Sequence, residues 1–466
     1  MWATKKATLT NAAPLLGTLA DASDTTLTGE GDNSNAAPAA LRTAMRQSHR
    51  RTLIGGAIGH FIEWYDWTIY GFLAGVFASQ MFPARDLAAS LVASFAVFAI
   101  GFIGRPLGAL VLSPLADKYG RRALLSTTII LAGAGSLIIA LCPTYAQIGI
   151  GAPMLMVVAR LLQGFSAGGE YQIAVSFLNE HASSRNRALA ASPQQLSLGV
   201  AILFAIGTAS LVSKYLTPDA LASWGWRAPF ALGALMSVFG LYVRSRLAET
   251  PHFEGVKTQQ TVGATKILAS ITKYPKEMFI VFVIQMSGVQ YYLWMIFLPI
   301  YVTISFGFDR TSALLGGVLA NIAYCLGIPL FAAASDRIGR KPLLIASALC
   351  FLLFTYPLLS LLTQRPLRFE TFAFVTITGA IFISLNNGVI GTVLAELFPT
   401  RLRASGIGVP FAFCTAIFGG TAPMVATWLQ QIGGPLYISL YVMFICVITV
   451  LTHVFVTPET RGRALD

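Results

Sequence analysis

The sequence predicts an all-α membrane protein of twelve transmembrane helices arranged as two six-helix bundles. Three observations carry that prediction. Of the 466 residues, 55% are hydrophobic and only 11% charged, with a mean hydropathy of +0.68, against about 25% charged in a soluble domain. Apolar runs recur that are long enough to cross ~30 Å of hydrocarbon as helices. Two loop motifs repeat at nearly one offset, which makes the second half of the chain a copy of the first.

The elements follow in order. Residues 1–50, dominated by Ala, Thr, Asn, Asp and Gly, read as a disordered cytoplasmic tail. The LLGTLA patch within them is too short for a signal peptide and lacks its basic flank. Apolar runs at 53–80, 88–113, 123–142, 153–178, 188–213 and 228–245 make a first bundle, 51–246. A longer polar loop, 247–276, is the expected cytoplasmic linker. Runs at 277–305, 312–334, 343–362, 370–394, 404–430 and 435–456 make a second bundle, 277–457, and 458–466 is a cytoplasmic C-terminal tail. Most connections are short and leave no room for a soluble catalytic domain.

The formal charge of +12 raises the question of nucleic acid, but its distribution argues against that partner. Most Lys and Arg fall on one side of the expected membrane. Arg85, Lys214, Arg227, Arg310, Arg365 and Arg368 lie on the other, and Arg105 and Arg160 within helices. That asymmetry is an orientation signal, and it places both termini in the cytoplasm. The cysteines (Cys142, Cys325, Cys350, Cys414, Cys446) lie in or at the ends of apolar helices without pairing or metal spacing. No disulfide, metal site or cofactor is expected.

The repeat rests on two independent markers. Asp117-Lys-Tyr-Gly-Arg121-Arg122 follows the second run, and Asp336-Arg-Ile-Gly-Arg340-Lys341 follows the eighth, 219 residues on. Glu180 precedes Arg185 and Arg187 after the fourth run; Glu396 precedes Arg401 and Arg403 at the same spacings after the tenth, 216 residues on. Parallel halves around a midplane site are a transporter design.

The loop pattern D-[KR]-x-G-R-[RK], present twice, resembles the signature of the major facilitator superfamily. GHFIEWYDWTIYG (59–71), GRPLGALVLSPLADKYGRR (104–122), RLLQGFSAGGEY (160–171), WGWRAPF (224–230), ETPHF (249–253), ELFPTRLRASG (396–406) and PETRG (458–462) are similar to the metabolite:proton symporter family within it. The likeness runs from about residue 53 to 462 and implies the major facilitator fold and proton-coupled solute uptake. The chain departs at His60, where family members generally carry Asn. It departs also at Ser113 and Ala332, where a Gly usually stands. GFSAG also matches the G-x-S-x-G nucleophile elbow, which needs a strand running through a sharp turn into a helix. Here it falls within an apolar run, and Ser166 is expected to be no nucleophile.

Glu63, Asp66, Arg105, Arg160 and Glu170 are ionisable groups within apolar runs. At roughly 3 kcal/mol each they cannot face lipid. At 100° per residue, His60, Glu63, Asp66, Trp67 and Tyr70 share an arc of about 120° on the first helix. On the fourth, Gln163 and Glu170 nearly superimpose, Arg160 lies about 80° away, and Gly164 with Gly168 forms a small-x-x-x-small contact. Glu63 or Asp66, with His60 nearby, is expected to carry a coupled proton. Arg105, whose repeat-related position holds Tyr324, is expected to take a substrate carboxylate in a bidentate grip. Arg160 and Glu170 suit either substrate contact or mutual structural pairing. In the second half the candidate substrate contacts are neutral: Tyr291 and Tyr292 beside Gln290, Asn321 with Tyr324, and Asn386 with Asn387.

Asp117 with Arg121, Glu180 with Arg187, Asp336 with Arg340 and Glu396 with Arg403 are expected to be gating salt bridges at the cytoplasmic helix ends, a latch that the resemblance also implies. Arg227 suits either gating or a helix-start contact. The reading is a monomeric, non-enzymatic symporter of the bacterial inner membrane, importing protons with a small organic anion. That anion is taken as a di- or tricarboxylate such as citrate or 2-oxoglutarate. The alternatives are a zwitterionic osmolyte (proline or betaine), whose osmosensing carriers usually bring a C-terminal extension, and shikimate-like acids. Drug:proton antiport has least support, because the fifth run lacks G-x-x-x-G-P-x-x-G-G.

Overall fold

Apolar runs this long leave the backbone one way to satisfy its hydrogen bonds in lipid, the helix, and every regular element among the described residues is helical. A computed structural model describes residues 39–85, 87–245, 265, 269 and 271–465. Residues 1–38, most of the linker loop and the ETPHF segment lie outside the described residues.

The first half comprises α1 (Ala39–Met81), α2 (Leu87–Tyr119), α3 (Arg121–Leu141), α4 (Gly151–Glu180), α5 (Pro193–Tyr215) and α6 (Arg227–Ser245). The second comprises α7 (Pro275–Thr303), α8 (Arg310–Ile338), α9 (Lys341–Leu361), α10 (Phe369–Leu397), α11 (Arg403–Gln430) and α12 (Ile432–Phe455). Among the described residues, ten helices are long and apolar enough to cross a membrane by length and composition. The remaining two long helices, α1 and α4, are those loaded with Glu63, Asp66, Arg160 and Glu170, and that polar load lowers their hydropathy.

The internal repeat is visible in the backbone. Gly120 and Gly339 both sit at φ 104°, each ending a helix in the repeated D-x-x-G-R loop. That conformation is open to glycine and strained for other residues. Within the first lobe α4 packs against α2 and α3, and α3 against α6; within the second, α8 packs on α10 and α9 on α12. The lobes meet through α2 against α11 and α5 against α8, two pairs that the repeat interchanges. Side chains such as Val92, Leu141, Val238 and Phe455 are exposed on the periphery, as lipid contact requires.

Two helices of the second lobe leave α-geometry beside the lobe interface. In α7 the turn Tyr292–Phe297 is a π-helix, and so is Thr415–Gly419 in α11. Such turns are rare and concentrate at functional sites.

Candidate functional site

The polar arc of α1 does not face one environment. His60, Glu63 and Trp64 border a cavity between the lobes, with Arg105 from α2, Tyr171 from α4 and Gln195 from α5. The opposite wall comes from Gln285, Ser287, Gln290, Tyr291 and Tyr292 of α7, Asn386 and Asn387 of α10, and Phe411 and Thr415 of α11. Among the described lining residues the charged side chains are Glu63 and Arg105.

Arg105 is placed by glycines. A Cβ on Gly164 would strike the Gly101 carbonyl, one on Gly168 the Arg105 carbonyl, and one on Gly108 the backbone of Phe165. The backbones of α2 and α4 therefore touch, which fixes where the Arg105 Cα sits. Arg105 Nη2 donates to Glu63 Oε1 at 3.0 Å. The guanidinium lies over the rings of Trp67 (4.7 Å) and Phe102 (5.1 Å). Glu63 Oε2 and Arg105 Nε have no hydrogen-bond partner among the described residues. A buried ion pair of this kind adds little stability of its own, but removing one partner strands the other charge.

Asp66 lies about 60° round α1 from Glu63, enough to turn it into the first lobe. It accepts from Ser136 Oγ and from Gln163 Nε2 at 3.4 Å. Gln163 Oε1 in turn accepts from Arg160 Nη1 at 2.7 Å. Arg160 is fully buried, stacked on Trp67 (4.0 Å), Tyr70 (4.7 Å) and Phe98 (4.8 Å). Tyr70 donates to the Ser94 carbonyl at 3.0 Å. Asp66, Gln163, Arg160 and Tyr70 thus form one core network behind the cavity wall, not on it.

Glu170, a candidate for the substrate face, pairs instead with Arg244 of α6. Both terminal guanidinium nitrogens donate to its carboxylate, Nη1 at 3.1 Å, and Thr128 Oγ1 also donates to it. Arg244 donates further to the carbonyls of Gly55 and Leu125, so the cluster ties α1, α3, α4 and α6 together. The reason is reach: Arg244 stands near the end of α6 and bends inward, where the sequence placed it in the basic loops. Ser166 Oγ donates to the Thr128 carbonyl at 2.7 Å, a helix-to-helix contact.

Of the neutral candidates, Tyr291 and Tyr292 border the cavity, and Asn386 donates to Ser287 Oγ at 3.2 Å. Asn387 donates to Tyr324 Oη at 3.0 Å, Tyr324 to Gln195 Oε1 at 3.4 Å, and Gln195 to Tyr171 Oη at 3.2 Å. That chain crosses from one lobe to the other. Asn321 also crosses, donating to the Gly199 carbonyl at 2.7 Å. Trp64, Tyr171, Gln195 and Gln285 escaped the sequence reading. Trp64 alone carried a usable signal, being four residues beyond His60 on the same helical face.

At the end that carries the basic loops the acid–base partners are crossed. Glu180 pairs with Arg403 (2.6 Å) and Arg121 (3.2 Å), and Glu396 with Arg187 (2.6 Å) and Arg340 (3.5 Å). Expected pairing within each half holds for Asp117–Arg121 (3.1 Å) and Asp336–Arg340 (3.0 Å). It is corrected for Glu180–Arg187 and Glu396–Arg403, because the repeat axis sets each glutamate against the arginine of the other lobe. The aspartates cross too. Asp117 accepts from the backbone of Ala404 (3.1 Å) and Ser405 (2.8 Å) at the start of α11, and Asp336 from Ala188 (3.1 Å) and Leu189 (3.0 Å). Carboxylates at helix starts satisfy orphan N–H groups and favour the dipole. Arg227 lies elsewhere, donating to the carbonyls of Cys142 (2.9 Å) and Ser223 (2.8 Å) over the Trp226 ring, a helix-start contact.

Two pseudo-equivalent helical lobes, a polar cavity between them and a stitched-shut end define a membrane carrier. Residues 52–278 match the family model for sugar (and other) transporters, and residues 280–465 that of the major facilitator superfamily. The chain is 31% identical over 434 residues to the glycine betaine/proline/ectoine/pipecolic acid transporter OusA of Dickeya dadantii (89% of this chain, 84% of the relative). It is 34% identical over 377 residues to a citrate-proton symporter of Salmonella typhi (81% and 86%). It is 32% identical over 420 residues to the alpha-ketoglutarate permease of Escherichia coli (89% and 95%). The solved proton:xylose symporter XylE bound to 6-bromo-6-deoxy-D-glucose shares the fold, with a TM-score of 0.75 at 18% identity over 90% of this chain and 98% of that one. The chain belongs to the major facilitator superfamily and is a transporter of small solutes.

Proposed function

We propose that the chain is a proton-driven importer of a small organic anion in a bacterial inner membrane, with the basic loops and both termini cytoplasmic. The observation that carries the reading is the Glu63–Arg105 pair on the cavity wall. With Glu63 ionised, its carboxylate holds the guanidinium through Nη2. When Glu63 takes a proton the pair is broken, and Arg105 is free to grip a solute carboxylate bidentately. Proton and solute then bind together and, by linkage, each tightens the other. A second carboxylate meets the neutral donors of the far wall, Gln285, Gln290, Asn386 and Asn387. A dicarboxylate such as 2-oxoglutarate fits this arrangement better than citrate, because Arg105 is the one cation among the described lining residues.

A second reading has its own support. If Glu63 stays ionised, an anion beside the rings of Trp64, Tyr291 and Tyr292 suits the cationic end of a zwitterion such as proline or betaine, with Arg105 taking its carboxylate. In either case the crossed salt bridges hold the cytoplasmic end shut, and rocking of the lobes breaks them.

Uptake into proteoliposomes of radiolabelled 2-oxoglutarate, citrate, proline and glycine betaine, with and without an inward proton gradient, tests the proposal. Accumulation of 2-oxoglutarate that collapses without the gradient is the expected result. Gradient-independent accumulation, or none of any of the four, would overturn it.

A further inference from the structure

His60 is buried, and both ring nitrogens are committed. Nδ1 lies 2.8 Å from the Gln194 carbonyl, and the Trp64 indole donates to Nε2 at 3.0 Å. A carbonyl only accepts and an indole N–H only donates, so the partners leave one arrangement: hydrogen on Nδ1, lone pair on Nε2. Ser197 Oγ, 3.2 Å from Nδ1, also donates to the Gln194 carbonyl, and the Gln194 side chain is spent on the Tyr171 carbonyl at 3.1 Å. The acceptor that fixes the imidazole therefore belongs to the start of α5, itself tied to α4 by the Gln194 side chain. No lone pair is left on the ring for a coupled proton in this conformation.

The other end of this chain is a cavity wall. Trp64 borders the cavity, and its ring stands edge-on to Tyr291 of the opposite lobe, centroids 5.8 Å apart at 73°. It is the residue next to Glu63. We propose that His60 is a positioning residue for solute: it anchors the Trp64 indole across the lobe interface against Tyr291, and the anchored ring forms the apolar wall that packs on the carbon skeleton of a solute whose carboxylate is held by Arg105. The inference rests on the cavity being the solute site. His60 acts through Trp64, and neither side chain supplies charge.

The test uses the full-length carrier and the variants His60→Ala, Trp64→Phe and their combination. The first arm needs no solute. The fluorescence difference between wild type and Trp64→Phe isolates Trp64, and the same difference taken in the His60→Ala background is expected to shift to longer wavelength; an unshifted spectrum overturns the proposal. The second arm is uptake of radiolabelled 2-oxoglutarate, citrate, proline or glycine betaine, whichever wild type accumulates. Either single change is expected to raise KM on the order of five- to tenfold, the worth of one hydrogen bond, with Vmax per folded carrier within twofold. The double variant should be no worse than the singles. KM increases that multiply, or a KM that does not move, overturn it. His60→Asn, which keeps a donor and an acceptor, serves where His60→Ala does not fold, and is expected to restore KM to near the wild-type value. Should wild type accumulate none of the four, the transport reading fails while the spectroscopic arm still decides the His60–Trp64 anchor.

Discussion

Glu63 and Asp66 are three residues apart on one helix and live in different surroundings. Glu63 meets Arg105 at the cavity; Asp66 meets Ser136 and Gln163 inside the first lobe. Replacing Asp66 by Asn is therefore expected to leave solute affinity within twofold of wild type. It should lower thermal stability, because Ser136 and Gln163, through which Arg160 reaches the carboxylate, lose a charged acceptor, and a hydrogen bond to a charged group contributes about 1.5–3 kcal/mol. Melting and solute binding on the same detergent preparation check this; lost affinity with unchanged melting would contradict it. The sequence made the membrane charges legible, since none of them can face lipid, and put both acids on one arc. It could not separate them, because about 60° of helical rotation decides which faces the cavity, and helical period alone does not say where a lobe's interior lies. Glu170 is the plainest case: its partner Arg244 reads in sequence as one more basic loop residue.

Most helix ends were legible to within a few residues, but α1 begins at Ala39, inside the stretch read as a disordered tail, and α2 runs through Pro114 to Tyr119, beyond the expected end at 113; the repeat of Asp117–Arg121 at Asp336–Arg340 marked the lobes. Contacts between elements were not legible, because which helix end meets which depends on the repeat axis. The PETRG tail shows this at the start of α9. Glu459 accepts from the backbone N–H groups of Arg340 (3.0 Å) and Lys341 (3.1 Å), and from those of Thr460 and Arg461 (both 2.9 Å). Partial burial pushes this carboxyl up, but the four N–H donors together outweigh it and hold it below the ordinary range. A carboxylate with a depressed folded value adds stability above its unfolded value, ~4.3, and loses it as pH falls through the folded one. The melting-temperature gap between wild type and Glu459→Gln should be clear at pH 7 and close under acid. A gap independent of pH would contradict this role.

Across the whole molecule the two lobes are stitched at the basic end by Glu180–Arg403, Glu396–Arg187 and two aspartate caps on the partner lobe's helices. Removing both glutamate charges takes the paired carboxylate from buried Arg403 and Arg187, while Arg121 and Arg340 keep Asp117 and Asp336, so Glu180→Gln with Glu396→Gln is expected to shift the population toward a carrier open at that end. Spin labels on the exposed Tyr119 and Ile338, at the ends of α2 and α8, should report longer and broader distances in this variant. Unchanged distances would mean that the lobes are held by their apolar interface instead.

The proposed competition between Glu63 and a solute carboxylate for Arg105 is read out by equilibrium binding of the transported solute to Glu63→Gln across pH. A neutral amide stands in for the protonated acid. The variant should bind at pH 8 as tightly as wild type does in acid and lose the pH dependence of wild type. Loss of binding at every pH would contradict the competition and leave Glu63 as a direct partner for the solute's own positive charge.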